Sequence, residues 1–273
     1  MNVLPQLNFR RRIHLLSWAR RLSILGGVSA GLVLGWTGRF GWLVAGAILV
    51  MTLLGALVSW QASLRRQFIR EAEFPGFLVG KLTAAFPQLQ RRDTDLVLRG
   101  LRQFFMAHLR SGRKFVAMPS RIVDEAWHEY ILHTRGYERW CKAAFGGMLH
   151  HTPAEVLGND ARRNDGLRRT WYWACKEESI DPRKPTRLPL LFALDAKFDV
   201  EGGFRYTPDC KAIDRAAGSD AYCGTSFSDS DSGSGDAGGF GGSESSSSDS
   251  GGGDSGGGDG GSGCGGGCGG GGD

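Results

Sequence analysis

Residues 22–60 are almost free of charge. Leu22–Gly38 and Phe40–Trp60 are two apolar runs separated only by Arg39. Arg10, Arg11, Arg12, Arg20 and Arg21 precede the pair, and Arg65, Arg66 and Arg70 follow it. A helix that crosses a bilayer needs about 17–25 mostly apolar residues. The second run clears that bound, and the first sits at its short end. The pattern predicts a two-helix transmembrane hairpin over 22–60, turning at Thr37, Gly38 and Arg39. A hairpin buried inside a soluble domain is the competing reading. Excess Arg and Lys marks the cytoplasmic side. Both termini are therefore expected in the cytoplasm, at a bacterial inner (plasma) membrane, with the lipid bilayer as the first partner. The long basic leader, with no small-residue cleavage pattern after the first run, argues against a signal peptide. Gly27, Gly31 and Gly35 recur every four residues and share one helix face. Small residues there let a second helix approach closely, with Ala45, Gly46 and Ala47 as its matching surface.

The chain changes character along its length. Residues 1–21 are a basic leader, 22–60 the hairpin, 65–215 an ordinary globular composition, and 216–273 a tail of Gly, Ser and Asp. The net charge is +5. The tail contributes acids and no Lys or Arg, so the body is more basic than that figure. Such asymmetry suits an anionic surface or a tail that screens the body. The tail has too little apolar surface to fold and is expected to be disordered. Its Cys264 and Cys268 are two flexible thiols that fall short of a complete zinc ligand set. Cys141, Cys175, Cys210 and Cys223 lack the spacing of a disulfide framework.

The globular segment reads as all-α. Pro75-Gly76 breaks the helix that leaves the membrane, and Gly76–Phe86 forms a short one. Asp93 or Thr94 caps the next, with Val97, Leu101, Phe104, Phe105 and His108 on its apolar stripe and Gly112 as its stop. Ser120 caps a helix carrying Ile122, Val123, Ala126, Trp127, Tyr130 and Ile131. Tyr137, Trp140, Cys141, Ala144 and Phe145 make another stripe. Thr152-Pro153 opens a further helix. Leu167, Trp171, Ala174 and Cys175 mark one more, and Leu188–Phe198 is the last, before a short strand-like piece at Phe204–Tyr206. Arg162-Arg163 and Arg168-Arg169 with Trp171, Tyr172 and Trp173 mix base and aromatic in a way that can serve nucleic acid. A solvated helix face over a packed aromatic one accounts for them equally, and nucleic acid is not the expected partner.

One stretch can carry chemistry. Asp124 and His128 lie four apart on one helix face, and Glu125 is within reach of the same imidazole. His150 and His151 follow the next helix and a short turn, so an antiparallel helix pair can bring them back to His128. Two or three His with a carboxylate suffice for a divalent metal such as zinc. The plainer alternative is a Trp127–His128 packed pair, with the imidazole hydrogen-bonded to Asp124 or a backbone carbonyl and the two later His at a helix end. Cys141 falls on an apolar stripe, which favours packing over nucleophilic work. His133 carries little weight. No phosphate loop, dinucleotide fingerprint or nucleophile elbow is present, so no catalytic residue is assigned.

The run PSRIVDEAWHEYILHTRGYERWCKAAFGGMLHHTP, residues 119–153, resembles the core motif of the glycine-rich domain-containing protein-like family, in its bacterial membrane-anchored form. Its most specific part is Val123–His128 with Trp127, Tyr137, Cys141 and His150-His151. The resemblance covers residues 75–215 and implies a domain identity without a catalytic residue. The resulting expectation is a membrane protein that presents a cytoplasmic helical module to a protein partner. Its rival is a metal-binding module or metal-dependent enzyme using Asp124, His128, His150 and His151.

Overall fold

The computed structural model describes residues 3–36, 40–152, 161–208 and 222–223. Eight helices lie among them: α1 Val3–Trp36, α2 Phe40–Glu71, α3 Phe77–Ala85, α4 Arg91–Arg110, α5 Arg121–Leu132, α6 Thr134–Ala144, α7 Ala161–Glu177 and α8 Leu190–Lys197. The all-α expectation holds, with one small amendment. Tyr206–Thr207 and Tyr222–Cys223 pair as two short parallel strands, Tyr206 opposite Tyr222 and Thr207 opposite Cys223.

α1 and α2 pack against each other as a helical pair. Of the two, only α2 is long and apolar enough to cross a membrane by itself. The reason is length. Phe40–Trp60 spans about 31 Å at 1.5 Å per residue, whereas the uncharged part of α1, Leu22–Trp36, spans only about 22 Å against a hydrocarbon core of about 30 Å. The glycine stripe is also corrected. A side chain at Gly27 would meet Val50 of α2 at 3.1 Å, but Gly31, Gly35 and Gly46 face open space. Close approach therefore occurs at one step of the stripe, with Val50 as the counterpart rather than Ala45–Ala47. Gly38 and Arg39 lie outside the described residues. So do Pro153 and, apart from Tyr222–Cys223, the 216–273 tail with Cys264 and Cys268.

α2 runs past Trp60 without interruption into the globular domain. Phe68 and Ile69, near its end, are fully buried there. Phe68 lies 5.7 Å from the Trp140 ring of α6, and Phe74 stacks on the same indole at 5.9 Å. Phe105 of α4 also packs on Trp140, at 4.6 Å. Arg102 helps end α2, because its guanidinium donates to the Arg70 carbonyl and lies over the Phe74 ring.

α4 is the central helix and touches α2, α3, α5, α7 and α8. Its cap sits earlier than Asp93 or Thr94. Gln90 is the capping residue, and its backbone N–H donates to the Asp93 carboxylate at 2.9 Å. Gly100 is buried where α4 meets α5 and α8. A methyl there would lie 3.0 Å from Val123 and closer still to Leu194. That contact offsets the helix-propensity cost of an internal glycine.

Asp195 of α8 is the least expected core residue. It is 2% exposed. Its carboxylate accepts from the Ser120 hydroxyl at 2.7 Å and from the backbone N–H groups of Arg121 at 2.7 Å, Ile122 at 3.2 Å and Phe204 at 2.9 Å. The first turn of a helix has N–H groups with no partner inside the helix, and its partial positive charge favours an anion. One acid thus completes the start of α5 and pins the 199–205 turn to it. α8 is capped in its own turn: Glu178 accepts from the Leu190 N–H at 2.6 Å, and the Gln103 side chain accepts from the Leu191 N–H at 3.0 Å.

Asp195→Ala strands three amides and a hydroxyl. It is expected to cost at least about 3 kcal/mol in denaturant unfolding. A second expectation concerns pH. His108 on α4 is buried, lies 3.1 Å from the Lys114 carbonyl through Nδ1, and meets the Phe145 ring edge-on. Burial pushes its imidazole down to about 4 from an ordinary 6.5. The folded state therefore resists protonation that the unfolded chain accepts. Stability is complete above about pH 6.5 and falls by about 3 kcal/mol as the pH drops toward 4. Unfolding measured across that range should lose this slope in His108→Gln.

Candidate metal centre

Ser120 opens α5 in the way its position suggests. Its backbone is extended, and its hydroxyl accepts from the Val123 N–H. α5 then presents two faces. Ile122, Val123, Ala126 and Tyr130 are buried in the core, while Asp124 and His128 look outward one turn apart.

Three further contacts build a cleft around that outer face. First, the segment 115–118 is held against α7. Thr170 donates to the Ala117 carbonyl and Arg169 to the Phe115 carbonyl, both at 2.8 Å. Gly166 makes the fit possible, since a methyl there would lie 2.9 Å from the Ala117 backbone nitrogen. Second, the loop after α6 is tied down by a relay. The Trp127 indole donates to the Tyr137 hydroxyl at 3.0 Å, and that hydroxyl donates to the Leu149 carbonyl at 2.6 Å. Third, Arg121 donates to the Glu201 carbonyl at 2.8 Å and brings Gly202 and Phe204 to the rim. The volume of the cleft is about 410 Å³.

Pinning Leu149 sets His151 two residues later. His151 Nε2 lies 3.0 Å from Asp124 Oδ1, and His128 Nε2 lies 3.8 Å from Asp124 Oδ2. The two imidazoles are 4.3 Å apart between ring centres, and the Trp127 ring packs edge-on against His151 at 4.6 Å. One donor atom from each of Asp124, His128 and His151 lies within 4.8 Å of the others. His150 is exposed and lines the cleft without joining this group among the described residues. Of the four residues named from the sequence, the structure brings these three together and leaves His150 apart. The reason is the Tyr137–Leu149 bond, which turns the second His of the pair toward α5.

Cys141 has no part in the group. It is fully buried, and burial raises its thiol above the ordinary range. The hydroxyl of Tyr137 is likewise buried and held protonated, which suits a donor to a carbonyl. Trp127, Tyr137 and Cys141 act on the centre by placing its loop. His133 packs edge-on against Phe77. In the basic-aromatic stretch, Trp171 and Tyr172 are buried, and the Trp171 indole donates to the Pro182 carbonyl. Asp195, Gly166, Arg169 and Thr170 were not legible as site-builders. The one available signal was a lone acid at the buried spacing of Leu191, Phe192 and Leu194.

Tyr137→Phe removes the relay. It is expected to cost about 1–3 kcal/mol and to speed amide exchange in residues 146–152. Burial pushes the Cys175 thiol up to about 12. In the native chain, peptide mapping after iodoacetamide at pH 8 should find Cys141 and Cys175 unmodified. Both should label fully once the chain is unfolded.

The sequence profile of one family, described as UCP032817-like, matches residues 64–227. No curated protein and no solved structure matches the chain. Nothing in these comparisons links it to the glycine-rich domain-containing protein-like family.

Proposed function

We propose that this chain, which belongs to the UCP032817-like family, is a membrane-anchored module whose helical domain holds one divalent transition-metal ion between Asp124, His128 and His151. The convergence of these three side chains at an open cleft carries the reading. Two imidazoles and a carboxylate suit zinc or a related cation, and three protein ligands leave a position for water or a small ligand. In tetrahedral zinc the ligand atoms stand roughly 3–3.5 Å apart, given bonds of about 2 Å. The separations of 3.0 and 3.8 Å to the two oxygens of Asp124 fall near that range. The relay through Trp127 and Tyr137 then serves as the support that orients a ligand. Asp124, Trp127 and His151 face the cleft, which gives the ion a solvent path and room for an exogenous group.

The membrane part of the proposal rests on surface. Leu25, Val28, Leu32, Val33, Val44, Ile48, Leu49, Met51 and Val58 are all exposed on α1 and α2. A continuous apolar surface of that extent suits lipid far better than water. Exposed Trp18 and Trp60 stand at one end of the pair and Trp36, Phe40 and Trp42 at the other, as aromatic residues do at the two interfaces of a bilayer. α2 spans the bilayer, and α1 follows it with Arg20 and Arg21 reaching back to the headgroups. The cation stands over the Trp18 ring at 5.8 Å in the case of Arg21. Both termini and the helical domain then lie in the cytoplasm, where the domain meets a protein partner.

The metal-free alternative is a pure interaction module, in which Asp124 only orients His151. The 3.0 Å hydrogen bond between them supports it. Full-length protein purified in mild detergent and dialysed against zinc separates the two. About one zinc per chain is expected, with at least a tenfold loss of affinity in both His128→Ala and His151→Ala and none in His150→Ala. Zinc-free protein, or binding that survives both substitutions, would sink the metal centre and leave the interaction module.

A further inference from the structure

A second cavity, of about 440 Å³, lies at the foot of the helical pair, away from the candidate metal centre. Ile13, His14 and Ser17 of α1, Gln61 and Arg65 of α2, and Arg139, Lys142 and Ala143 of α6 line it, with Gly146 just beyond. Its chemistry is cationic. Arg65 is 8% exposed, and its Nη1 is buried without a hydrogen-bond partner among the described residues. An unpartnered buried guanidinium nitrogen costs free energy, and a native fold rarely keeps one without a reason. The charges that act on Arg65 most strongly belong to Arg113 and Arg20, both positive. Gly146 adopts φ +85°, and a methyl on it would lie 2.8 Å from both terminal nitrogens of Arg65. The backbone has thus given up a side chain at the point where the guanidinium sits.

Arg139 and Lys142 stand at the mouth and are exposed. Arg139 Nε donates within its own helix to the Arg135 carbonyl, which leaves the guanidinium amines to other partners. Lys142 pairs with Glu138 at 2.6 Å. That glutamate is half exposed, so its screening of the cavity is weak. Ser17 and Gln61 add uncharged polar groups; the Ser17 hydroxyl donates to the His14 carbonyl and keeps its lone pairs free to accept.

We infer that this notch binds a phosphate group, with Arg65 as its buried anchor and Arg139 and Lys142 as its rim. Arginine suits this because its planar fork donates two parallel hydrogen bonds to phosphate oxygens. The source is set by position. The notch lies just below the level at which α1 and α2 become apolar, beside Trp18 and Trp60. On the membrane reading above, that is the depth of lipid headgroups, and basic pockets on the cytoplasmic side hold anionic ones. The phosphate chemistry itself does not need a membrane.

Three measurements on the full-length chain in neutral detergent test it. Native mass spectrometry after incubation with phosphatidylglycerol or phosphatidylcholine should show the anionic lipid retained at least tenfold better. That preference should drop at least tenfold in Arg139→Gln/Lys142→Gln, the loss expected for one charge-assisted hydrogen bond. These two residues are exposed, so the double variant should fold. Arg65→Gln should abolish retention. Inorganic phosphate titrated by calorimetry reads the same site without lipid. Phosphate that binds and competes with phosphatidylglycerol supports the notch and makes soluble phosphate a second source. Equal retention of the two lipids together with no heat from phosphate overturns it, as does retention unchanged in the double variant. Flotation with vesicles is scored separately. A chain that fails to float refutes the membrane reading, while the phosphate titration still decides the notch.

Discussion

The start of α5 depends on a carboxylate that belongs to another helix. Asp195 comes from α8, and it supplies acceptors for two α5 amides, for the Ser120 hydroxyl and for the Phe204 amide at once. A buried acid with no cation beside it is normally costly. Here several donors and the positive end of a helix compensate it. The arrangement fixes where α5 begins and which way it points. Its outer face follows, Asp124 one turn in and His128 one turn further, and so does the place of the buried Trp127 beside the cleft. Trp127 then holds Tyr137, Tyr137 holds Leu149, and Leu149 delivers His151. The candidate centre is the last link of a chain of hydrogen bonds that starts at a residue far from it in sequence.

Much of the fold was legible because it rests on local periodicity. The apolar stripes of α4, α5 and α6, the Ser120 cap and the breaks at Pro75-Gly76 and Gly112 all report short-range physics. Asp124 and His128 were legible for the same reason, since four residues on a helix is a fixed geometry. His151 against His150 was not, because adjacent residues in a loop point in different directions and only a distant hydroxyl selects between them. Asp195 was hidden for a related cause: in sequence it is one acid in an apolar helix, and its partners lie more than seventy residues away or beyond the helix end. The glycine stripe of α1 misled in the opposite sense. Period alone placed Gly27, Gly31 and Gly35 on one face, but it does not say which step of that face lies against a neighbour; at Gly27 that neighbour is Val50, and Gly31 and Gly35 have none within 4 Å.

Helix α6 and the loop after it serve two places at once. The buried side of α6 carries Tyr137, which sets the cleft, and Trp140, around which the aromatic core is arranged. Its outer side carries Arg139 and Lys142 at the notch beside the helical pair. The loop begins at Gly146, against the Arg65 guanidinium, and ends at His151, against Asp124. Between those ends the loop is anchored at Leu149, whose carbonyl accepts from the Tyr137 hydroxyl.

α2 passes from exposed apolar surface to buried aromatic core without a break, with Phe68 packed on Trp140 and Ile69 buried near its end. A domain joined by a loose tether can tumble over the bilayer and sample every orientation. On the proposed membrane reading, this domain sits on the continuation of its own spanning helix and has no swivel. On that reading the cleft keeps a fixed height and heading above the lipid, and any change in the tilt of α2, such as a thinner bilayer would impose, turns the whole head with it.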